Sequence, residues 1–534
     1  MRQLVSALLV ILMLAACAPG EQPADATAEG HVSEVVIAFP EIPPHFDPVR
    51  GFGMDGHGGG QLLIFSALVR TDPDMNILPG LASSYTLSPD ALTYTFTLRD
   101  DVYFTDGSRV TAQDVVFSYR AMMESVTGLD LTMVSDVSAQ GDTVTITLAR
   151  PQSTFILTVA QVSILPAHAH GPDFGDRPIG SGPFKLTQLD AGQQFILQRN
   201  PGYHGTLPEL ERAVFVRMAD EDARLAGVRA GIVDIAPTSP TLATTIDIPG
   251  YRLLIAETAD NLGLVMPTVP TQEQPNQFGY PVGCDITHEV DFRRAIAYGL
   301  ERDAIVRYAL RGFGAPAFSE NDGLPWSNPQ SRIEYDPAYA VSLLEGLGWL
   351  PGDDGIRQRD GVRASLPLLY AAGDSARQAV AMATAQQARE KLGIELVVSG
   401  LSWDEISRRM FSQPLMLAWG SLNPTTSFYL FHSSRAGLDD FYNPQNFTSA
   451  RVDAHLERAM AARTLEQAIP YFQLAQWDGQ GGTSMRGYSP FVFLINHQHV
   501  YWAREGLYTG SRRGIHPHGA AWPLVHNLNE WRWE

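Results

Sequence analysis

Between Met266 and Cys284 the chain reads MPTVPTQEQPNQFGYPVGC, where prolines and glycines break both the helical and the extended period. A second break, Asp478 to Pro490 (DGQGGTSMRGYSP), precedes the wholly apolar run Phe491 to Ile495. Two such breaks in one chain read as two crossings between lobes, with the second lobe inserted into the first. The expected division is lobe one over 33–268, lobe two over 269–487, and a return to lobe one over 488–534. On either side of the breaks the period keeps switching. Val35 to Phe39 reads as a buried strand, while Tyr94–Leu98 and Val144–Leu148 alternate as half-buried antiparallel strands do. Thr111 to Met123 (TAQDVVFSYRAMM) reads as a helix, capped by Thr111 and with Asp114 opposing its dipole. Phe292, Ile296 and Leu300 form one helical stripe. Asp303 to Leu310, Pro337 to Leu347 and Ala376 to Leu392 are further helices. Strands and helices that alternate over 534 residues place the chain in the α/β class, with α+β elements and more than one lobe.

The N-terminus says where such a body works. One cation, Arg2, precedes an apolar run from Leu4 to Ala16 that ends at Cys17. This run falls short of the roughly 20 apolar residues a membrane span needs and reads as a secretory signal peptide over 1–16. Leu14-Ala15-Ala16-Cys17 resembles the bacterial lipobox, which implies a diacylglyceryl group on the Cys17 thiol. Residues 17–32 then read as a flexible tether with a reach of about 20 Å. The expected place is the periplasm or cell surface, with the body held at a membrane by lipid.

Charge and composition remove other classes. Lys+Arg is 38 against Asp+Glu 58, a net charge of −20 that disfavours a nucleic-acid partner. The only lysines, Lys185 and Lys391, do not follow a glycine, so no phosphate loop of the Gly-Lys-Ser/Thr type exists. Two cysteines, Cys17 and Cys284, exclude a disulfide framework and a Cys-rich zinc module. Cys284 is expected to be a buried free thiol. No Gly-x-Ser-x-Gly occurs and the acids are scattered, so neither an enzyme nor a cofactor is expected.

A string of phrases runs through the chain: Leu78-Pro79-Gly80-Leu81-Ala82, Tyr94 to Gly107 (YTFTLRDDVYFTDG), Thr111-Ala112-Gln113-Asp114-Val115, Ile179 to Phe184 (IGSGPF), Arg199 to Tyr203 (RNPGY), and Phe292 to Tyr298 (FRRAIAY). In this order and spacing they resemble the family 5 extracellular solute-binding proteins, receptors of peptide and nickel ABC importers. The resemblance implies a two-lobe, type II periplasmic-binding fold with an extra subdomain in lobe one. It also implies a monomer that clamps a solute between its lobes and presents it to permease subunits. Oligopeptide or a peptide-like molecule is the expected solute, with nickel or a metal chelate as the alternative. Read physically, Asp106-Gly107 is a turn, and Gly180 and Gly182 let backbone pass close to a neighbour.

A cleft between lobes needs aromatic walls and a few oriented polar groups. In lobe two the candidates are Trp419, Gly420 and Asn423 of Leu417–Pro424, followed by Phe428, Tyr429 and His432. Where peptide-binding relatives commonly carry an Asp-Tyr-Pro-Asp-Pro-like run, this chain has Asn423-Pro424 and no acid. That loss removes a charge-assisted bond to a peptide ammonium. In lobe one the family's ligand-facing loop corresponds to Phe52, Met54 and His57 among glycines. Three His-x-His pairs, His168/His170, His497/His499 and His516/His518, have no evident third ligand, so no metal site is assigned.

Overall fold

A seven-stranded mixed sheet organises lobe one, with the strands in the order Tyr251–Ala256, His499–Arg504, Ile235–Thr238, Glu34–Phe39, Arg212–Arg217, Gln194–Arg199 and Phe184–Asp190. Glu34–Phe39 lies at its centre, parallel to both neighbours, with Val35 and Ile37–Phe39 buried as an apolar run in a central strand should be. The computed structural model describes residues 33–52, 61–125, 129–438, 441–510, 516–517 and 521–534. The signal peptide, Cys17, the tether, Met54, His57 and His518 lie outside the described residues.

The extra subdomain of lobe one is a four-stranded antiparallel sheet, Ala82–Leu87, Thr93–Leu98, Thr143–Leu148 and Val134–Gln140. The helix Ala112–Met123 covers it. Its capping box is complete: the Thr111 hydroxyl accepts from the Asp114 N–H, and the Asp114 carboxylate accepts from the Thr111 N–H. Gly180 and Gly182 thread past the Ile64 carbonyl so closely that a Cβ would stand 2.0 Å from its oxygen at Gly180 and 2.6 Å from its carbon at Gly182.

Lobe two is built on a six-stranded mixed sheet, ordered Gly314–Pro316, Phe491–His497, Asn261–Val265, Leu415–Trp419, Ser365–Ala371 and Glu395–Leu401. Val290–Gly299 buries Phe292 and Ile296 toward it. Arg302–Ala309 and Pro337–Gly346 follow, and Ser375–Gln387 runs into a last wide turn over Ala388–Leu392.

The crossings differ from the expected boundaries. Sheet membership changes between Tyr251–Ala256 and Asn261–Val265, and again between Phe491–His497 and His499–Arg504. The chain therefore passes between lobes at 257–260 and at Gln498, not at 267–284 and 478–490. Both Asn261–Val265 and Phe491–His497 belong to lobe two's sheet. The physical reason is that a crossing needs only short extended chain, held here by the His497 N–H to Asp260 carbonyl bond of 2.9 Å. The Pro/Gly-rich stretches are instead loops of lobe two, the first of them largely exposed over 270–281. Buried Arg293 ties their flanks together, donating to the carbonyls of Thr287 (2.6 Å), His288 (2.8 Å), Tyr488 (2.7 Å) and Ser489 (3.0 Å). Cys284 beside them is half-buried rather than fully enclosed.

Candidate functional site

Both crossings enter lobe two at one end of its sheet, and the first residues past them form the floor of the candidate site. Asn261 pairs in register with Asn496 on one side and Trp419 on the other. Antiparallel partners project from the same face, so Asn496, Asn261 and Trp419 form one row at the sheet edge nearest lobe one. Asn261 is 1% exposed and Asn496 8%. The Oδ1 atoms of both and the Trp419 Nε1 have no hydrogen-bond partner among the described residues. Buried polar atoms are nearly always satisfied, so three in one row single this edge out as the candidate site.

One wall follows from the lip after Trp419. Asn423 turns its Oδ1 back to accept from the Thr425 N–H at 3.0 Å, which starts the short helix Thr425–Phe431. This helix aims Tyr429 toward Tyr442 (centroids 5.0 Å), and Tyr442 stacks on Trp419 (5.2 Å, 19°). The Arg435 guanidinium covers the Tyr429 ring at 5.1 Å. The sequence reading named Trp419 and Tyr429 as candidates and did not name Tyr442 or Arg435, which the structure stacks against them from beyond the turn at Ser433–Arg435.

The other wall is the loop 318–322. Asp322 accepts from the Phe318 N–H (2.6 Å), the Ser319 hydroxyl (3.1 Å) and Asn496 Nδ2 (3.4 Å). Burial raises its pKa, against the pull of those donors. Glu320 is buried beside it and accepts from Ser427 Oγ (2.6 Å) and Asn321 Nδ2 (2.8 Å). Burial pushes the Glu320 carboxyl up to about 7, with the Ser427 bond opposing the shift.

Lobe one touches lobe two beside this site. Thr154 Oγ1 and Thr425 Oγ1 lie 2.6 Å apart, and Tyr429 Oη donates to Asp130. Ser153 donates through its N–H to the Met460 carbonyl (2.9 Å) and through its hydroxyl to the Ala459 carbonyl (2.7 Å). Leu157, one turn further, is part of lobe two's apolar core. Burial, and then the bond to Asp130, raise the Tyr429 pKa, so the phenol stays a donor.

Comparison with known proteins fits this architecture. Residues 76–439 match the pattern of the bacterial extracellular solute-binding proteins, family 5. The chain belongs to that family. It is thus the solute-binding component of an ABC importer. Protein XP55 of Streptomyces lividans is 33% identical over 463 residues, covering 82% of this chain and 81% of XP55. The oligopeptide-binding protein AppA of Bacillus subtilis is 26% identical over 399 residues, 70% of this chain and 71% of AppA. Among solved structures, NikZ of Campylobacter jejuni in complex with Ni(L-His) shares the fold at a TM-score of 0.75 and 22% identity, over 94% of this chain and 100% of NikZ.

Within this family 5 protein the other expected residues fall outside the row. Phe52 is 4% exposed and packs on Phe46 (4.7 Å) and Trp522 (5.7 Å). It is a core residue of lobe one rather than a ligand contact, because the buried sheet face there needs an aromatic filler. Phe428 stacks on His432 at 4.2 Å. His432 Nδ1 accepts from the Ser434 N–H (3.1 Å), while Nε2 faces Glu457 (3.5 Å), so this histidine holds a turn. Gly420 and Asn423 stay at the lip, with the Asn423 amide engaged in the helix start. The first His pair divides its bonds between two acids, His168 to Asp106 (2.8 Å) and His170 to Asp47 (3.2 Å). Among the described residues no three His, Cys, Asp or Glu side chains gather as metal ligands.

Proposed function

We propose that this solute-binding protein captures an oligopeptide or peptide-like solute between its lobes, leaves it chemically unchanged, and presents it as a monomer to its permease. The observation that carries this reading is the row Asn496–Asn261–Trp419 at the interlobe edge, whose two Oδ1 atoms and indole Nε1 have no partner among the described residues, flanked by the Tyr442 and Tyr429 rings. An extended guest with N–H and C=O groups complements such a mixed set of donors and acceptors. The likeness to AppA, an oligopeptide-binding protein, points the same way. The body is proposed to sit in the periplasm or at the cell surface, held by lipid on Cys17. Native mass spectrometry of the full chain, extracted in detergent and never unfolded, tests all of this. The expected protein mass lacks residues 1–16 and carries a diacylglyceryl adduct, and the released solute fragments as a peptide. A metal chelate released instead of a peptide would replace the peptide reading with the nickel-type one.

A further inference from the structure

We infer that the crossing between the lobes is a proton-sensitive hinge, in which the imidazoles of His499 and His516, stationed with Asp260 at the crossing, take up protons in acid, loosen it and free the lobes to part. The inference concerns the joint and holds for any solute. The two crossing segments are tied to each other and to a third stretch of chain. The His497 N–H donates to the Asp260 carbonyl (2.9 Å), and the Thr258 hydroxyl donates to the His497 carbonyl. From the other side the Ala259 N–H donates to the His516 carbonyl (2.8 Å) and the His516 N–H to the Glu257 carbonyl (3.0 Å), an isolated parallel bridge at Thr258. These histidines therefore belong to the backbone bonding of the hinge, and whatever displaces their rings disturbs those bonds.

The rings form a file from solvent into the hinge. His526 is exposed, and its ring centroid lies 5.5 Å from that of His516, which in turn lies 5.7 Å from that of His499. His516 is 2% exposed and His499 7%, and His499 Nε2 faces the Asp260 carboxylate at 3.8 Å. The Glu257 side chain, next along the crossing, is exposed. On the other side of Gln498 the His497 ring is faced by Asp260, His499, Asp374 and Arg377, of which Asp374 and Arg377 already pair with each other at 3.3 Å. One proton on this file is met by Asp260. A second sets two cations with ring centroids 5.7 Å apart among buried groups, where water screens them poorly. His497 shows the same cost: burial, joined by the charge of His499, lowers its pKa below the usual 6.5. A base held below its ordinary pKa gives its full stability above pH 6.5 and loses it as pH falls, so acid weakens the hinge. With the lobes parted the histidines meet water and take protons at lower cost, which shifts the population toward the parted state.

The test is hydrogen exchange of the full chain at about pH 7 and about pH 5, on either side of the histidine range, read by mass spectrometry and corrected for the intrinsic pH dependence of exchange. The amides to follow are those of Ala259, His497 and His516 in the hinge and that of Ser153, whose N–H crosses to the Met460 carbonyl and so reports on the lobes themselves. The central strand Glu34–Phe39 serves as the reference. Hinge and Ser153 amides should lose about tenfold of their protection or more at the lower pH, the change that one pKa unit on a single histidine supplies, while the reference strand keeps its own. His499→Gln combined with His516→Gln, neutral at both pH values, should abolish the loss with the melting temperature at the higher pH unchanged. Asp260→Asn, which takes away the charge that meets the first proton, should deepen the loss. Equal protection at the two pH values, a loss that persists in the double histidine variant, or a loss in the hinge without one at Ser153 overturns the proposal. Should the double variant fail to fold, Asp260→Asn decides: a deeper loss upholds the hinge and an unchanged one overturns it.

Discussion

Trp419 and Glu320 show how differently single residues can be read. An indole at the end of an apolar strand, followed by glycine and a polar turn, already looks like a lip in the sequence. Its neighbours Asn261 and Asn496 carry no such signal, since one asparagine after a strand start resembles any other. Trp419→Ala should weaken solute binding by about 2 kcal/mol, in the range of aromatic anchors, and calorimetry against the co-purified solute checks it. Glu320 yields a stability prediction. Burial raises its carboxyl from 4.5 to about 7, so between those values the folded chain binds more protons than the unfolded one. Stability from this group is full below pH 4.5 and declines as pH rises to about 7, by at most about 3 kcal/mol. In Glu320→Gln, urea titrations across that window should lose this decline.

Secondary structure elements were legible where a local rule governs them. The capping box at Thr111 and Asp114, the stripe of Phe292 and Ile296, and the alternation of Thr93–Leu98 each rest on residues a few positions apart, and all formed as read. Gly180 and Gly182 were legible as close-approach glycines, but not the backbone they approach. That partner is the Ile64 carbonyl at the end of the short helix Gln61–Ile64. Gly180→Ala would drive a Cβ to 2.0 Å from this oxygen, and backbone cannot swing aside as a side-chain tip can. The expected loss is about 2 kcal/mol or more of stability, read as a lower melting temperature, with solute affinity little changed in the folded fraction.

For the whole molecule, the lobes meet through hydroxyl contacts, Ser153 on the 459–460 carbonyls, Thr154 on Thr425 and Tyr429 on Asp130, joined by Arg463 on the Leu87 carbonyl (2.9 Å) and by Leu157 in lobe two's core. Such hydrogen bonds are individually worth about 1 kcal/mol and form or break together, which suits a clamp whose closure is decided by its guest. X-ray scattering should therefore show a smaller radius of gyration with the co-purified solute than after its removal. Profiles that superimpose would count against closure on binding. The amino-acid sequence alone determined the class, the presence of two lobes and the family, because periodicity, caps and short phrases are local chemistry. Only the tertiary structure decided where the chain crosses, at 257–260 and Gln498, and which residues share the floor. Crossing points depend on strand pairing, and the floor joins Asn261, Trp419 and Asn496 across more than two hundred residues. No local rule reaches that far, since sheet register is fixed by packing among strands that the chain brings together only on folding.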